Sequence, residues 1–306
     1  MAEAGLRELL EAGVHFGHQT RRWNPHMRRY IHGERDGIHV IDLLQTQELL
    51  EQARQFASDA GGKGGEVLFV GTKKQARDSI KEWADRAGMP YVNQRWLGGL
   101  LTNFATISKR IDRLHELTGL AEQGQLELLP TKERMSMQSE LEKLEYNLGG
   151  VRDMKRLPQA VVIIDLKTEE IALREAKRLR IPIIGLVDTN CDPAPVDYVV
   201  PGNDDAIRSC DIVIRTIGES VAESAGAYRA EEERRRAAEE AERKRREEEQ
   251  RKREEEERAR KEAAEAAAKE AAAWEAQAQA QQGASPEGGA QQAPQGSPQA
   301  PAEAGS

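Results

Sequence analysis

The 306-residue chain carries a formal net charge of −8 and is 38% hydrophobic but only 4% aromatic, too lean for one globular core along its whole length. Two cysteines, Cys191 and Cys210, exclude a disulfide framework or a four-thiolate metal site and fit a reducing compartment. The N-terminal MAEAGLRELLEAG lacks the basic and apolar blocks of a signal peptide, and no run of eighteen apolar residues occurs, so the expectation is a soluble, cytoplasmic protein without a membrane partner.

The first chemically marked stretch is HFGHQTRRWNPHMRRY, His15–Tyr30, with four arginines, three histidines, one tryptophan and no acid. Guanidinium groups pair bidentately with phosphates, flat faces stack on splayed bases, and amides read ribose hydroxyls or base edges. Arg21, Arg22, Trp23, Asn24, Arg28 and Arg29 are therefore RNA-binding candidates. Trp23, between Arg22 and Asn24-Pro25, reads as a stacking face more than as a core anchor. His15 and His18, together with Asp188, Asp204 and Asp205 at a strand end and a helix start, would make a workable zinc set. The same aspartates equally suit turns and helix dipoles, so no metal ligand is assigned.

Further along, the spacing predicts a helix over Leu43–Ala60, a flexible turn at GGKGG (Gly61–Gly65) and a doubly buried strand over Val67–Val70. VGTKKQA then leads into a helix over Lys74–Ala87. Lys73 and Lys74 beside its N-terminus would suit an anion, or are simply two solvated lysines. VNQRWLGGLLTNF adds the candidates Gln94, Arg95 and Asn103, with Trp96 reading as a core anchor.

Between residues 103 and 149 the apolar positions change character. Phe104, Ile107, Ile111 and Leu114 run 3-4-3, then Met137, Leu141, Leu144, Leu148 and Val151 run 4-3-4-3, a heptad seam twice over. Two antiparallel helices zipped into a coiled-coil arm inserted in the sheet domain explain this narrow stripe. Strands over Ala160–Ile164 and Ile181–Val187, a helix over Thr168–Leu179 and a last helix from Asp204, capped by Asn203, complete an open, doubly wound α/β sheet.

After Tyr228 the composition shifts. Residues 229–306 hold 15 Lys/Arg against 19 Asp/Glu, net −4, and residues 1–228 hold 30 against 34, also −4, so a nucleic-acid reading must rest on local clusters. Glutamates repeatedly precede Lys or Arg by four, as in Glu239 and Arg243 or Glu247 and Arg251, and no apolar seam exists between Glu231 and Glu270. The expected organisation is an α/β domain over 1–102 and 150–228, the arm over 103–149, a charged single helix over 229–275 and a disordered Gln/Ala/Pro/Gly tail over 276–306.

Catalytic signatures are missing: neither GxxxxGK[ST], GxGxxG nor GxSxG occurs, and HFGH lacks the glutamate of a metalloprotease helix. A nucleotide- or anion-binding enzyme using the strand ends at Thr72 and Asp188 is the alternative class.

The blocks GVHFGHQTRRWNPHMRRYIHGERDGIHVIDL, LFVGTKKQA, YVNQRWLGGLLTNF, NLGGVRDMKRLP and VDTNCDP, followed by YVVPGNDDAIRS, resemble in this order the bacterial small-subunit ribosomal protein two (S-two) family over residues 5 to 226. The resemblance implies a flavodoxin-like α/β domain with an inserted helical hairpin, no catalysis and no cofactor. Small-subunit ribosomal RNA and neighbouring ribosomal proteins, including ribosomal protein one, are the partners it implies. The charged helix and tail lie outside the family pattern.

Overall fold

The structure, a computed structural model, describes the backbone of residues 5–282 and the side chains of residues 5–274. The chain divides into two compact units, Met1–Arg235 and Arg236–Ser306.

The first unit opens with α1 (Leu6–Glu11), then β1 (Phe16–Gln19), β2 (Ile31–Arg35) and β3 (Ile38–Ile41), which pair as an antiparallel sheet in the order β1-β3-β2. This sheet was not expected. Its strands are four or five residues long and all but one of their residues are exposed or half-buried, so they lack the long apolar run of a strand buried on both faces. The signal was the turn: Asp36 and Gly37 both adopt positive φ, 53° and 76°, as a two-residue hairpin turn requires.

The elements that follow are α2 (Leu43–Gly62), β4 (Val67–Val70), α3 (Arg77–Ala87), β5 (Tyr91–Val92), α4 (Phe104–Glu122), α5 (Thr131–Leu148), β6 (Ala160–Ile164), α6 (Glu170–Arg178), β7 (Ile183–Val187), β8 (Tyr198–Pro201) and α7 (Ile207–Gln282). Strands β4 to β8 form a fully parallel sheet in the order β5-β4-β6-β7-β8. Its winding reverses between β4 and β6, the doubly wound order of flavodoxin-type sheets.

Both faces are covered, so side chains of opposite parity feed two cores. Val67, Phe69, Val162, Ile164, Leu186 and Val200 join α2, α3 and α7 on one face. Leu68, Val70, Val161, Ile163, Ile183 and Val187 join α6 and the base of the α4–α5 hairpin on the other. Each such aliphatic or aromatic side chain, fully buried, contributes roughly 1.5–3 kcal/mol.

The hairpin carries the two expected helices. Ile107, Ile111, Leu114 and Leu117 on α4 are buried, Leu141 and Leu144 on α5 are half-buried, and Leu126 in the connecting turn closes the far end. The stripe does not close on itself alone. Ile107, Ile111, Leu114 and Leu148 belong to the same buried cluster as Trp96, Val151 and the strand residues of the second face.

Two helix starts fall later than the periodicity suggests. α3 begins at Arg77 because Lys73–Ala76 makes a turn, with Ala76 N–H donating to the Lys73 carbonyl at 2.9 Å. α7 begins at Ile207 because Asn203 Oδ1 accepts from Asp205 N at 2.8 Å, so Asn203 shapes the turn before the helix instead of capping it.

The first unit also extends beyond residue 228. Arg229 donates to the Ala87 carbonyl at 2.9 Å, and a side chain added at Gly64 would meet the Tyr228 ring. In the second unit α7 is helical to Gln282, past the expected boundary at 275, and residues 283–306 of the expected disordered tail lie outside the described residues. Among the described residues no helix is long and apolar enough to cross a membrane.

Candidate nucleic-acid interface

The arginine-rich stretch folds as two short 3-10 turns, Thr20–Arg22 and Pro25–Tyr30. Asn24 Oδ1 accepts from His26 N at 2.9 Å, and Pro25 supplies a preset φ at the first position of the second turn. Buried Met27 and Tyr30 pin that turn to the second-face core. The stretch is also fastened from below by Thr189, just after β7: Asn24 N donates to the Thr189 carbonyl at 2.7 Å, and His18 N donates to its Oγ1 at 2.8 Å.

With the backbone tied down in this way, Arg21, Arg22, Arg28 and Arg29 are all exposed. Their guanidinium groups make no ion pair with any described carboxylate; Arg29 instead lies over the Tyr30 ring, 4.6 Å from its centroid. Trp23 is 36% exposed, with its ring 5.2 Å from that of His39. Such a surface presents four unspent guanidinium forks and one aromatic face, as pairing with phosphates and stacking on bases require.

Beneath it, at the carboxyl edge of the parallel sheet, lies a polar cluster. Lys73 Nζ stands 2.7 Å from Asp204, 2.7 Å from Asp205 and 3.3 Å from Asp165. His18 bridges outward, with Nδ1 3.1 Å from Asp188 and Nε2 3.4 Å from Asp205. Burial opposes the charge on Lys73, but hydrogen bonds to Asp204 and Asp205 outweigh it, and its pKa is raised. The hydrogen bond to Asp188 raises that of His18. Burial, then the neighbouring Asp188 and Asp165, push Asp204 up to about 7 against the pull of Lys73.

This geometry bears on three expectations. Lys73, expected to face RNA, has its ammonium paired with three carboxylates and its side chain only 18% exposed. His18, Asp188, Asp204 and Asp205 do gather, whereas His15 stands apart with its ring 4.0 Å from Phe16. The described basic side chains paired with these aspartates are Lys73, with Asp165, Asp204 and Asp205, and His18, with Asp188 and Asp205. An anion here would meet the carboxylates of Asp165, Asp188, Asp204 and Asp205, and the Thr72 N–H already donates to Glu169 at 2.8 Å. Burial pushes both Cys191 and Cys210 up to about 12, so neither is a ready thiolate.

Other candidates follow the carboxyl ends of neighbouring strands. Lys74, after β4, is exposed; Arg95, after β5, is exposed, and Gln94 is half-buried with its carbonyl accepting from Arg77 at 3.4 Å. Trp96 is buried and donates Nε1–H to Glu175 at 3.2 Å. Asn103 is exposed at the start of α4, where its Oδ1 accepts from Thr106 Oγ1 at 2.9 Å. The topology thus brings the arginine-rich stretch, Lys74, Gln94 and Arg95 to one edge of the sheet. Sequence reasoning missed Thr189 and Glu175, the residues that hold this edge in shape.

The family model described as Ribosomal protein S2 matches residues 9–224. The chain is 57% identical over 231 residues to the small ribosomal subunit protein uS2 of Acidothermus cellulolyticus (strain ATCC 43068 / DSM 8971 / 11B), an alignment covering 75% of this chain and 84% of that relative.

Proposed function

The chain belongs to the ribosomal protein S2 family, and from that premise we propose that it is a structural, non-catalytic constituent of the small ribosomal subunit in the cytoplasm, binding small-subunit ribosomal RNA through the carboxyl edge of its parallel sheet. The observation that carries this reading is the set Arg21, Arg22, Arg28 and Arg29, exposed and without carboxylate partners among the described residues, on a backbone fastened to Thr189. An acidic protein can meet a phosphate surface only where its own acids are absent, and this stretch has none.

Each residue has a proposed role. The four arginines and Lys74 neutralise phosphates, Trp23 offers a stacking face, Asn24 and Gln94 hydrogen-bond sugars or base edges, and Arg95 and Asn103 extend the interface along the edge. Lys73 is left out; it maintains the shape of the surface from beneath. The other proposed partners are neighbouring small-subunit proteins, with ribosomal protein one among them on the resemblance of the sequence blocks.

The test is salt-dependent binding of purified variants to small-subunit ribosomal RNA. Arg21→Ala with Arg22→Ala should leave the domain folded and lower the dependence of log affinity on log salt by roughly 0.7–0.9 for each arginine–phosphate pair removed. Arg28→Ala with Arg29→Ala should act in the same direction but more weakly, because Arg29 also lies over Tyr30. An unchanged slope for both double variants would return these arginines to the role of solubilising a surface.

A further inference from the structure

Glu175 lies on α6, 8% exposed, and its carboxylate accepts five hydrogen bonds from a segment more than seventy residues earlier in the chain. Oε1 accepts from Trp96 Nε1 at 3.2 Å and from Gly99 N at 2.7 Å. Oε2 accepts from Leu101 N at 3.1 Å, Thr102 N at 3.0 Å and Thr102 Oγ1 at 3.0 Å. Three of these donors are loop amides, which a loop without regular pairing must satisfy in some other way.

We propose that Glu175 is the positioning residue for the RNA-facing loop Arg95–Asn103, fixing the one loop conformation in which Arg95 and Asn103 reach the RNA. This rests on the RNA-binding reading above. The five bonds end on Trp96 at one side and Thr102 at the other, the immediate neighbours of Arg95 and Asn103, so the carboxylate sets where both exposed side chains leave the protein surface. Gly99 permits the turn between them, with φ +87° and only 3.2 Å between a would-be Cβ and that of Asn103.

The charge state fits this role. Burial alone would raise the pKa of Glu175, but the amide and side-chain donors outweigh it and the pKa is lowered, so the group is an acceptor on both oxygens at neutral pH. Glu175→Gln keeps the shape but turns one acceptor into an NH2 facing N–H donors. Leu100 and Leu101 remain buried in the core, so the domain keeps its fold while the loop loses its fixed register.

The experiment uses the full-length protein as Glu175→Gln, Arg95→Ala and the double variant. Amide hydrogen exchange at Gly99, Leu101 and Thr102 is measured beside salt-dependent binding to small-subunit ribosomal RNA. The expected result is faster exchange at those amides in Glu175→Gln, a salt slope lowered by roughly 0.7–0.9 as in Arg95→Ala, and a double variant no weaker than Glu175→Gln alone. Losses that add in the double variant would mean that Glu175 does not act through Arg95, and so would freed amides with an unchanged slope; either overturns the proposal.

Should Glu175→Gln fail to fold, Thr102→Val removes only the hydroxyl donor. It is expected to speed exchange at the same amides and weaken RNA binding roughly two- to fivefold, and faster exchange with unchanged binding again overturns the proposal. If Arg95→Ala has no effect while Arg21→Ala with Arg22→Ala does, the positioning role falls and the function stands. If no arginine variant changes the slope, the function itself falls.

Discussion

At the scale of single residues, Lys73 and His18 decide the electrostatics of the sheet edge. Replacing Lys73 by methionine preserves the length of the stem but leaves Asp165, Asp204 and Asp205 without their cation. Breaking a buried pair from one side costs about 3–5 kcal/mol, so Lys73→Met should lower the denaturation midpoint markedly at neutral pH. A change below about 0.5 kcal/mol, the scale of a surface substitution, would show that the ammonium is not holding the cluster. The pH dependence follows from pKa values raised on folding. His18 faces Asp188, Asp204, Asp205 and, through them, Lys73, and its raised pKa gives stability that is complete below its unfolded value and is lost as pH rises through the folded one. Asp204, pushed up to about 7, acts with the same sign. Asp205, whose pKa is lowered, and His15, lowered by burial, exert their effects only in acid. The Asp204 contribution is lost between its ordinary value of 3.8 and about 7, and that of His18 starts to be lost above 6.5, so unfolding free energy should be lower at about pH 7.5 than at pH 6.5, and His18→Asn should make the difference smaller. Denaturant titrations at the two pH values check this; a protein more stable at the higher pH refutes it.

At the scale of elements, the base of the α4–α5 hairpin is core and its tip is not. Leu114 is 3% exposed within the second-face cluster, whereas Leu128 at the tip is 85% exposed. Leu114→Ala should destabilise the domain by about 2–5 kcal/mol and Leu128→Ala by less than about 0.5 kcal/mol, measured by chemical denaturation; equal costs would mean that the hairpin packs as one independent body. What could be read from the sequence follows the same physics. Val67–Val70 and Ala160–Ile164 were legible to the residue because a strand buried on both faces is an unbroken apolar run. β1, β2 and β3 were not, because they are short and, Ile41 apart, exposed or half-buried, although Asp36-Gly37 marked their turn. The exposed arginines were legible because charge clustering is local. Glu175 and the partners of Lys73 were not, since a hydrogen bond from Gly99 to Glu175 or an ion pair from Lys73 to Asp204 joins residues that no periodicity connects.

At the scale of the whole molecule, the chain is two units with different sources of stability. The first, Met1–Arg235, rests on two apolar cores, and the last residue of α7 buried in it is Ala225, with Arg229 reaching back to the Ala87 carbonyl. Its cooperative unfolding should therefore be unaffected by ending the chain after Arg235. Among the described residues, the second has no apolar core to draw on. Its described side chains from residue 237 to 274 are exposed, and its helix is laced by pairs four residues apart: Lys244 to Glu240 at 2.7 Å, Arg246 to Glu242 at 2.6 Å, Lys252 to Glu248 at 2.9 Å, Arg253 to Glu249 at 2.8 Å and Lys261 to Glu257 at 2.7 Å. Alanine is the only apolar residue before Trp274, and it provides high helix propensity without a seam for a partner helix to bury. A peptide covering residues 236–274 should accordingly be helical at low concentration, sediment as a monomer, melt gradually and lose helicity as salt screens its ion pairs over a shrinking Debye length. Circular dichroism across concentration and salt separates the possibilities. Helicity that rises with concentration would mean that the charged faces assemble with copies of themselves, and helicity indifferent to salt would mean that alanine propensity alone, with no help from the ion pairs, holds the helix.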